Sequence, residues 1–150
     1  MNQLVQTLAR TGSGDVIAGG VFTTAGGTAA NFIARFDGSS WSPLGTGLDN
    51  PVSAVTELPN GNIVAGGTFA MAGGTPAFRI AQWDGVAWSN LGSGVNGAVE
   101  ALLALPNGDL IVGGSFLSAG GSPANRIARW GVNSVSGKKA GVGRRVARTS

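Results

Sequence analysis

Apolar and polar positions alternate in short runs along this chain, and turn residues interrupt them at regular intervals. The pattern is clearest from residue 52 onward. Val52-Ser-Ala-Val-Thr-Glu-Leu58 is rich in β-branched residues and stops at Pro59-Asn60-Gly61, a strong turn signal. Asn62-Ile-Val-Ala-Gly-Gly-Thr-Phe69 predicts a second strand, so the two segments predict a hairpin. A loop of small residues runs from Ala70 to about Phe78. Arg79-Ile-Ala-Gln-Trp83 predicts a third strand, closed by the turn pair Asp84-Gly85. Trp88-Ser-Asn-Leu91 predicts a short fourth strand, and Gly92-Ser-Gly94 leads onward. Apolar residues nowhere recur with a period of about 3.6 over a useful length, so almost no helix is expected.

The same pattern is written three times. The pairs Gly19-Gly20, Gly66-Gly67 and Gly113-Gly114 stand 47 residues apart, as do the Ala-Gly-Gly triplets starting at Ala25, Ala72 and Ala119. A fixed period of this length marks one supersecondary module that buries its apolar faces against its neighbours. Four short antiparallel strands per module match the size of a β-propeller blade. Leu102-Leu-Ala-Leu105 and Leu110-Ile-Val112 are apolar on consecutive positions, which fits strands covered on both faces. The Gly-Gly pairs remove side chains where another backbone or an aromatic ring comes close. Trp41 and Trp88 are expected to fill that space from neighbouring strands. The units divide as 1–50, 51–97 and 98–137, the last with a degenerate fourth strand, followed by a basic flexible tail at 138–150.

A Gly-Gly doublet closing strand two, an aromatic-Asp-Gly turn (Phe36-Asp37-Gly38, Trp83-Asp84-Gly85) and a following Trp (Trp41, Trp88) resemble the kelch repeat. The phrase around Trp41-Ser-Pro-Leu-Gly-Thr-Gly47 is similar to the kelch-like repeats of large bacterial surface proteins and of the fungal Rax-type cortical polarity marker. The resemblance covers residues 4 to about 130. It implies a propeller fold and a cell-surface or extracellular setting. The kelch Tyr is missing, because the chain contains no Tyr. The Trp-Asp pair is also similar to the WD repeat, but that repeat lacks the doublet and usually carries a Gly-His.

Closed propellers typically use about four to eight blades, so three wedges leave two open flanks. Exposed apolar flanks mark an interface or an incomplete object. A second copy would complete a six-bladed ring as a homodimer; alternatively, the chain is a fragment of a longer propeller. The third unit favours the fragment, since Val135 and Lys138 stand where Trp41, Trp88, Leu44 and Leu91 predict an apolar strand.

Composition then narrows the chemistry. The 27 Gly would suit a disordered chain, but 43% hydrophobic residues argue for a buried core. No apolar run approaches the ~20 residues of a membrane span, and the N-terminus lacks a signal-peptide pattern. The net charge of +3 is uneven: residues 1–137 carry five Arg against seven acids, whereas 138–150 carry five basic residues and no acid. That tail could bind an anionic or nucleic-acid backbone, but it has no aromatic residues for base stacking, so nucleic acid is not the expected partner.

No His and no Cys are present, which removes the commonest general base, thiolate metal ligands and disulfides. Seven carboxylates remain: Asp15, Asp37, Asp49, Glu57, Asp84, Glu100 and Asp109. A pair of them in the central channel could hydrolyse glycosides. Most recur at the repeat period or sit in turns, so hairpin chemistry and local pairs such as Arg35 with Asp37 are the expected roles. Asn60-Gly-Asn62 and Asn107-Gly-Asp109 are read as turns, not calcium loops. Gly92-Ser-Gly-Val-Asn-Gly97 matches a dinucleotide-binding pattern in letters only, because a strand and not a helix should follow it.

The fold class expected is all-β, three four-stranded antiparallel blades of a kelch-like propeller. The function expected is a non-catalytic scaffold for a protein or carbohydrate partner, with no cofactor and no metal. The rim residues expected to grip that partner are Asn31, Arg79, Asn125 and Arg126, which lie in the loops between strands two and three.

Overall fold

The computed structural model describes residues 1–131. Val135, Lys138 and the basic segment 138–150 lie outside the described residues. The first unit runs β1 (Val5–Arg10), β2 (Val16–Gly20), β3 (Thr24–Ala25), β4 (Thr28–Ala29), β5 (Ile33–Phe36) and β6 (Trp41–Pro43). The second runs β7 (Val52–Glu57), β8 (Ile63–Gly67), β9 (Met71–Ala72), β10 (Thr75–Pro76), β11 (Ile80–Trp83) and β12 (Trp88–Asn90). The third runs β13 (Val99–Ala104), β14 (Leu110–Gly114), β15 (Ser118–Ala119), β16 (Ser122–Pro123) and β17 (Ile127–Trp130).

Each unit folds as an antiparallel meander, ordered β1-β2-β5-β6, β7-β8-β11-β12 and β13-β14-β17. The all-β expectation holds, and no helix occurs among the described residues. The loop expected from Ala70 to Phe78 contains a small hairpin of its own, β9 with β10. Gly73 and Gly74 turn it at φ of 59° and 84°. Two consecutive residues with positive φ are what a tight two-residue hairpin of the right twist requires, and only glycine adopts them at no steric cost. Each unit also carries a bulge in its first strand, between Val5 and Thr7, Val52 and Ala54, and Val99 and Ala101.

The hydrophobic cores lie between units more than within them. Ile17, Ile33, Leu44 and Leu48 of the first unit pack with Val52, Val55, Ile63 and Phe69 of the second. Val64, Ile80 and Leu91 of the second pack with Val99, Leu110, Phe116 and Trp130 of the third. The outward face of the first unit keeps a smaller cluster, Phe22 among Ala18, Ala25, Ala30 and Ala34. The first strands stand side by side, with β7 between β1 and β13.

The Gly-Gly pairs do not receive the tryptophans, contrary to expectation. A Cβ on Gly19 would lie 2.5 Å from Val52 Cγ1, and one on Gly66 would strike Val99. The second glycine of each pair faces the backbone of its own unit's first strand, Leu4 O at Gly20 and Pro51 O at Gly67. Trp41 and Trp88 instead cover the small hairpins, with Cδ1 at 3.0 Å and 2.9 Å from where Cβ atoms on Gly26 and Gly73 would sit. The reason is position within the sheet. The doublets end an inner strand that the next unit's first strand crosses, whereas β6 and β12 are outer strands beside the hairpins.

Candidate functional site

The polar side chains are largely committed to the frame. Asp37 Oδ1 accepts from the amides of Ser39 and Ser40 at 2.8 and 2.9 Å, and Asp84 Oδ1 from Val86 and Ala87, both at 2.8 Å. These donors hold both carboxyls below the ordinary carboxylate pKa, the Ser40 and Ala87 amides contributing most. Arg35 does not pair with Asp37. Its Nε donates to Asp15 Oδ2 at 2.7 Å, because Asp37 folds back over its own turn while Asp15 lies on the adjoining strand's approach. Arg129 pairs likewise with Asp109 at 2.9 Å, and Asn62 donates to Gln82 Oε1 at 3.0 Å at the matching place in the second unit. Asn60 and Asn107 close their turns by accepting from the amides of Asn62 and Asp109.

Sequence reasoning missed a repeated clamp. Asn2, Asp49 and Asn96 stand 47 residues apart. Asn2 Oδ1 accepts from Thr23 and Thr24, Asp49 Oδ1 from Ala70 and Met71, and Asn96 Oδ1 from Leu117 and Ser118, at 2.7–3.1 Å. Each clamp ties the entry of a unit to its small hairpin. The signal was available, since a short side chain with an acceptor oxygen recurs at the period.

The four expected rim residues occupy equivalent loops in successive units and do not converge. Asn31 donates to Thr46 O at 3.1 Å, Arg79 Nη1 to Val95 O at 3.2 Å, and Arg126 Nη1 to Asn125 Oδ1 at 2.6 Å. Phe32, Arg79 and Arg126 share a left-handed backbone, φ 69°, 68° and 69°. Backbone bonds on both sides fix it: in the second unit Arg79 N donates to Phe69 O at 2.8 Å and Gly67 N to Arg79 O at 3.0 Å.

A cleft of about 280 Å³ opens at the junction of the first two units, beside Asn31's partner Thr46. Trp83 and Trp88 form one wall, ring centroids 5.4 Å apart and tilted by 50°. Gly45, Thr46, Gly73 and Thr75 form the other sides, and Val86 is exposed at the mouth. Trp88 is fixed by its Nε1 donating to Leu44 O of the first unit at 2.8 Å. Trp83 closes over Gly45, where a Cβ would meet its Cζ3 at 2.9 Å. A second cleft of similar size lies between the turns after β7 and β13, lined by Glu57, Leu58, Pro59, Ala104, Leu105 and Pro106. It holds one carboxylate, and Glu57 Oε1 already accepts from Gly12 N at 2.8 Å.

Residues 58–82 and 105–129 match the model of a family described as a β-propeller domain of unknown function (DUF5122). The matched stretches begin at the ends of β7 and β13 and run through the third strands β11 and β17. These are β-propeller repeats. Their shared sheet order and inter-unit cores follow the propeller plan, in which each sheet packs on the next. A search of curated proteins finds no match to the chain.

Proposed function

We propose that the chain is a three-bladed, kelch-like β-propeller segment that serves as a non-catalytic scaffold for a protein or glycan partner, within a larger surface or secreted protein. The kelch character rests on the Gly-Gly doublets, the aromatic-Asp-Gly turns and the following tryptophans; the setting rests on the same resemblance. The observation that carries the binding reading is the cleft of Trp83 and Trp88 with Thr46 and Thr75 at its edge. An aromatic wall with a few polar groups is the usual make-up of a ligand site. The non-catalytic reading draws support from the carboxylates: Asp15, Asp37, Asp49, Glu57, Asp84 and Asp109 each hold a structural hydrogen bond. Of the two clefts described above, one is lined by Glu57 alone among the carboxylates and the other by none.

Tryptophan fluorescence of the full chain, titrated with a panel of neutral oligosaccharides and with candidate surface proteins, tests the proposal. A saturable change that Trp83→Ala abolishes, with the far-ultraviolet dichroism unchanged, is the expected result. Turnover of glycosides that a single Asp or Glu substitution removes would overturn it.

A further inference from the structure

The two internal junctions are built alike. At each, a valine of the following unit's first strand seats on the bare first glycine of the preceding doublet: Val52 on Gly19, Val99 on Gly66. Val52 and Val99 are fully buried by this seating, and Val55, three residues along and past the bulge, is 7% exposed. Ser53 Oγ adds a hydrogen bond across the second junction to Val99 O at 2.5 Å.

The outer flanks present the two halves of that same junction separately. On the first unit, Val5 and Leu8 stand 47 residues before Val52 and Val55, yet they are 40% and 65% exposed. They are the inserting side with nothing to insert into. On the third unit, Gly113 stands 47 residues after Gly66. Among the described residues, a Cβ there would meet only Ala101 Cβ at 3.8 Å and Arg126 O at 4.0 Å, which is ordinary contact. Among the described residues it is the receiving side, left open. Leu103, on the strand that pairs with Gly113, is 59% exposed, where the matching Ala9 and Thr56 are half-buried.

We propose that a second copy of this three-unit segment fills both flanks, Val5 of each copy seating on Gly113 of the other, so that within the larger protein proposed above this ring is built from two copies of the segment. The argument is continuity with an interface the chain makes twice within itself: the exposed surfaces are the missing partners of those junctions, and one chain carries both. Such a head-to-tail contact closes into a ring only if the rotation across three units is half a turn, which is the geometry of a six-bladed propeller. This inference concerns the flanks and does not rest on the cleft.

Light scattering after size exclusion of the full chain gives the assembly directly. The expected particle has twice the chain mass of 14.8 kDa. Leu8→Glu and Gly113→Val should each reduce it to a monomer of unchanged dichroism, since both positions are open among the described residues of one copy. The chain has no cysteine, so Val5→Cys with Gly113→Cys should form an intermolecular disulfide on a non-reducing gel. Gly19→Cys with Val52→Cys, the equivalent pair inside one copy, is the control and should link without doubling the mass. A wild-type monomer whose Val5→Cys/Gly113→Cys form stays unlinked would overturn the proposal and assign the flanks to repeats from another polypeptide. An open-ended series of larger assemblies, or a dimer indifferent to Leu8→Glu and Gly113→Val, would overturn it too.

Discussion

Arg126 holds a backbone conformation that costs an L-residue roughly 1–2 kcal/mol relative to glycine. Its side chain is exposed and, among the described residues, bonds its neighbour Asn125. Arg126→Gly should therefore stabilise the fold by up to about 1 kcal/mol in chemical denaturation, the gain being trimmed by the extra freedom of glycine when unfolded. Asp109 is the reverse case, a carboxylate 4% exposed whose Oδ2 accepts from Arg129 Nε at 2.9 Å and from Asn107 Nδ2 at 3.4 Å. Arg129→Ala should cost about 1–3 kcal/mol by removing its charged partner. The double variant Asp109→Asn/Arg129→Gln, which copies the Asn62–Gln82 pair, should stay within about 1 kcal/mol of the parent. Asp37 and Asp84 set an acid limit. Their folded-state pKa values lie below the unfolded ones, so their stabilisation is complete above about pH 4 and is lost as pH falls toward the folded values. Asp37→Asn and Asp84→Asn should flatten the fall of melting temperature below that pH. The turn role of these aspartates was legible because Asp-Gly after an aromatic is a local signal. The pairing of Arg35 was not, since the choice between Asp15 and Asp37 depends on which strand lies alongside.

At the scale of elements, the strands were legible to within a residue or two, because their β-branched runs end in Pro-Asn-Gly and Asp-Gly turns. The small hairpins were not. Two residues per strand leave no alternation to read, and only the twin glycines mark the turn. What holds these hairpins in place is the clamp from Asn2, Asp49 and Asn96. Asn96→Ala removes the acceptor for two amides, Leu117 and Ser118, and should cost about 1 kcal/mol. Hydrogen exchange should speed at those two amides while the protection of β14 is kept, which separates a local clamp from a global loss. The same spacing explains why the rim residues did not assemble into a site. Equivalent loops of a repeat are held a unit apart, and Asn31 and Arg79 each spend a donor on the carbonyl of a following connection. The aromatic cleft lay hidden because it is formed across a junction, from Gly45 of one unit and Trp83 of the next.

For the whole molecule, the period announced that units pack on one another, but not which side chain meets which glycine. Trp41 and Trp88 were the largest candidates for the doublets, and the space belongs to Val52 and Val99 because the first strands, not the fourth, pass over the doublets. Once seen, the rule accounts for the shared cores, the burial of β7 between β1 and β13, and the exposure of Val5 and Leu8. A double-mutant cycle on Gly66 and Val99 tests it most directly. Gly66→Ala alone should destabilise by about 1–3 kcal/mol, because its methyl group overlaps Val99. Val99→Ala alone should cost a similar amount by emptying the seat. Combined, the two should be far less harmful than their sum, with a coupling of about 1 kcal/mol or more. Simple additivity would mean that valine and glycine do not meet, and would contradict the seating of one unit on the next.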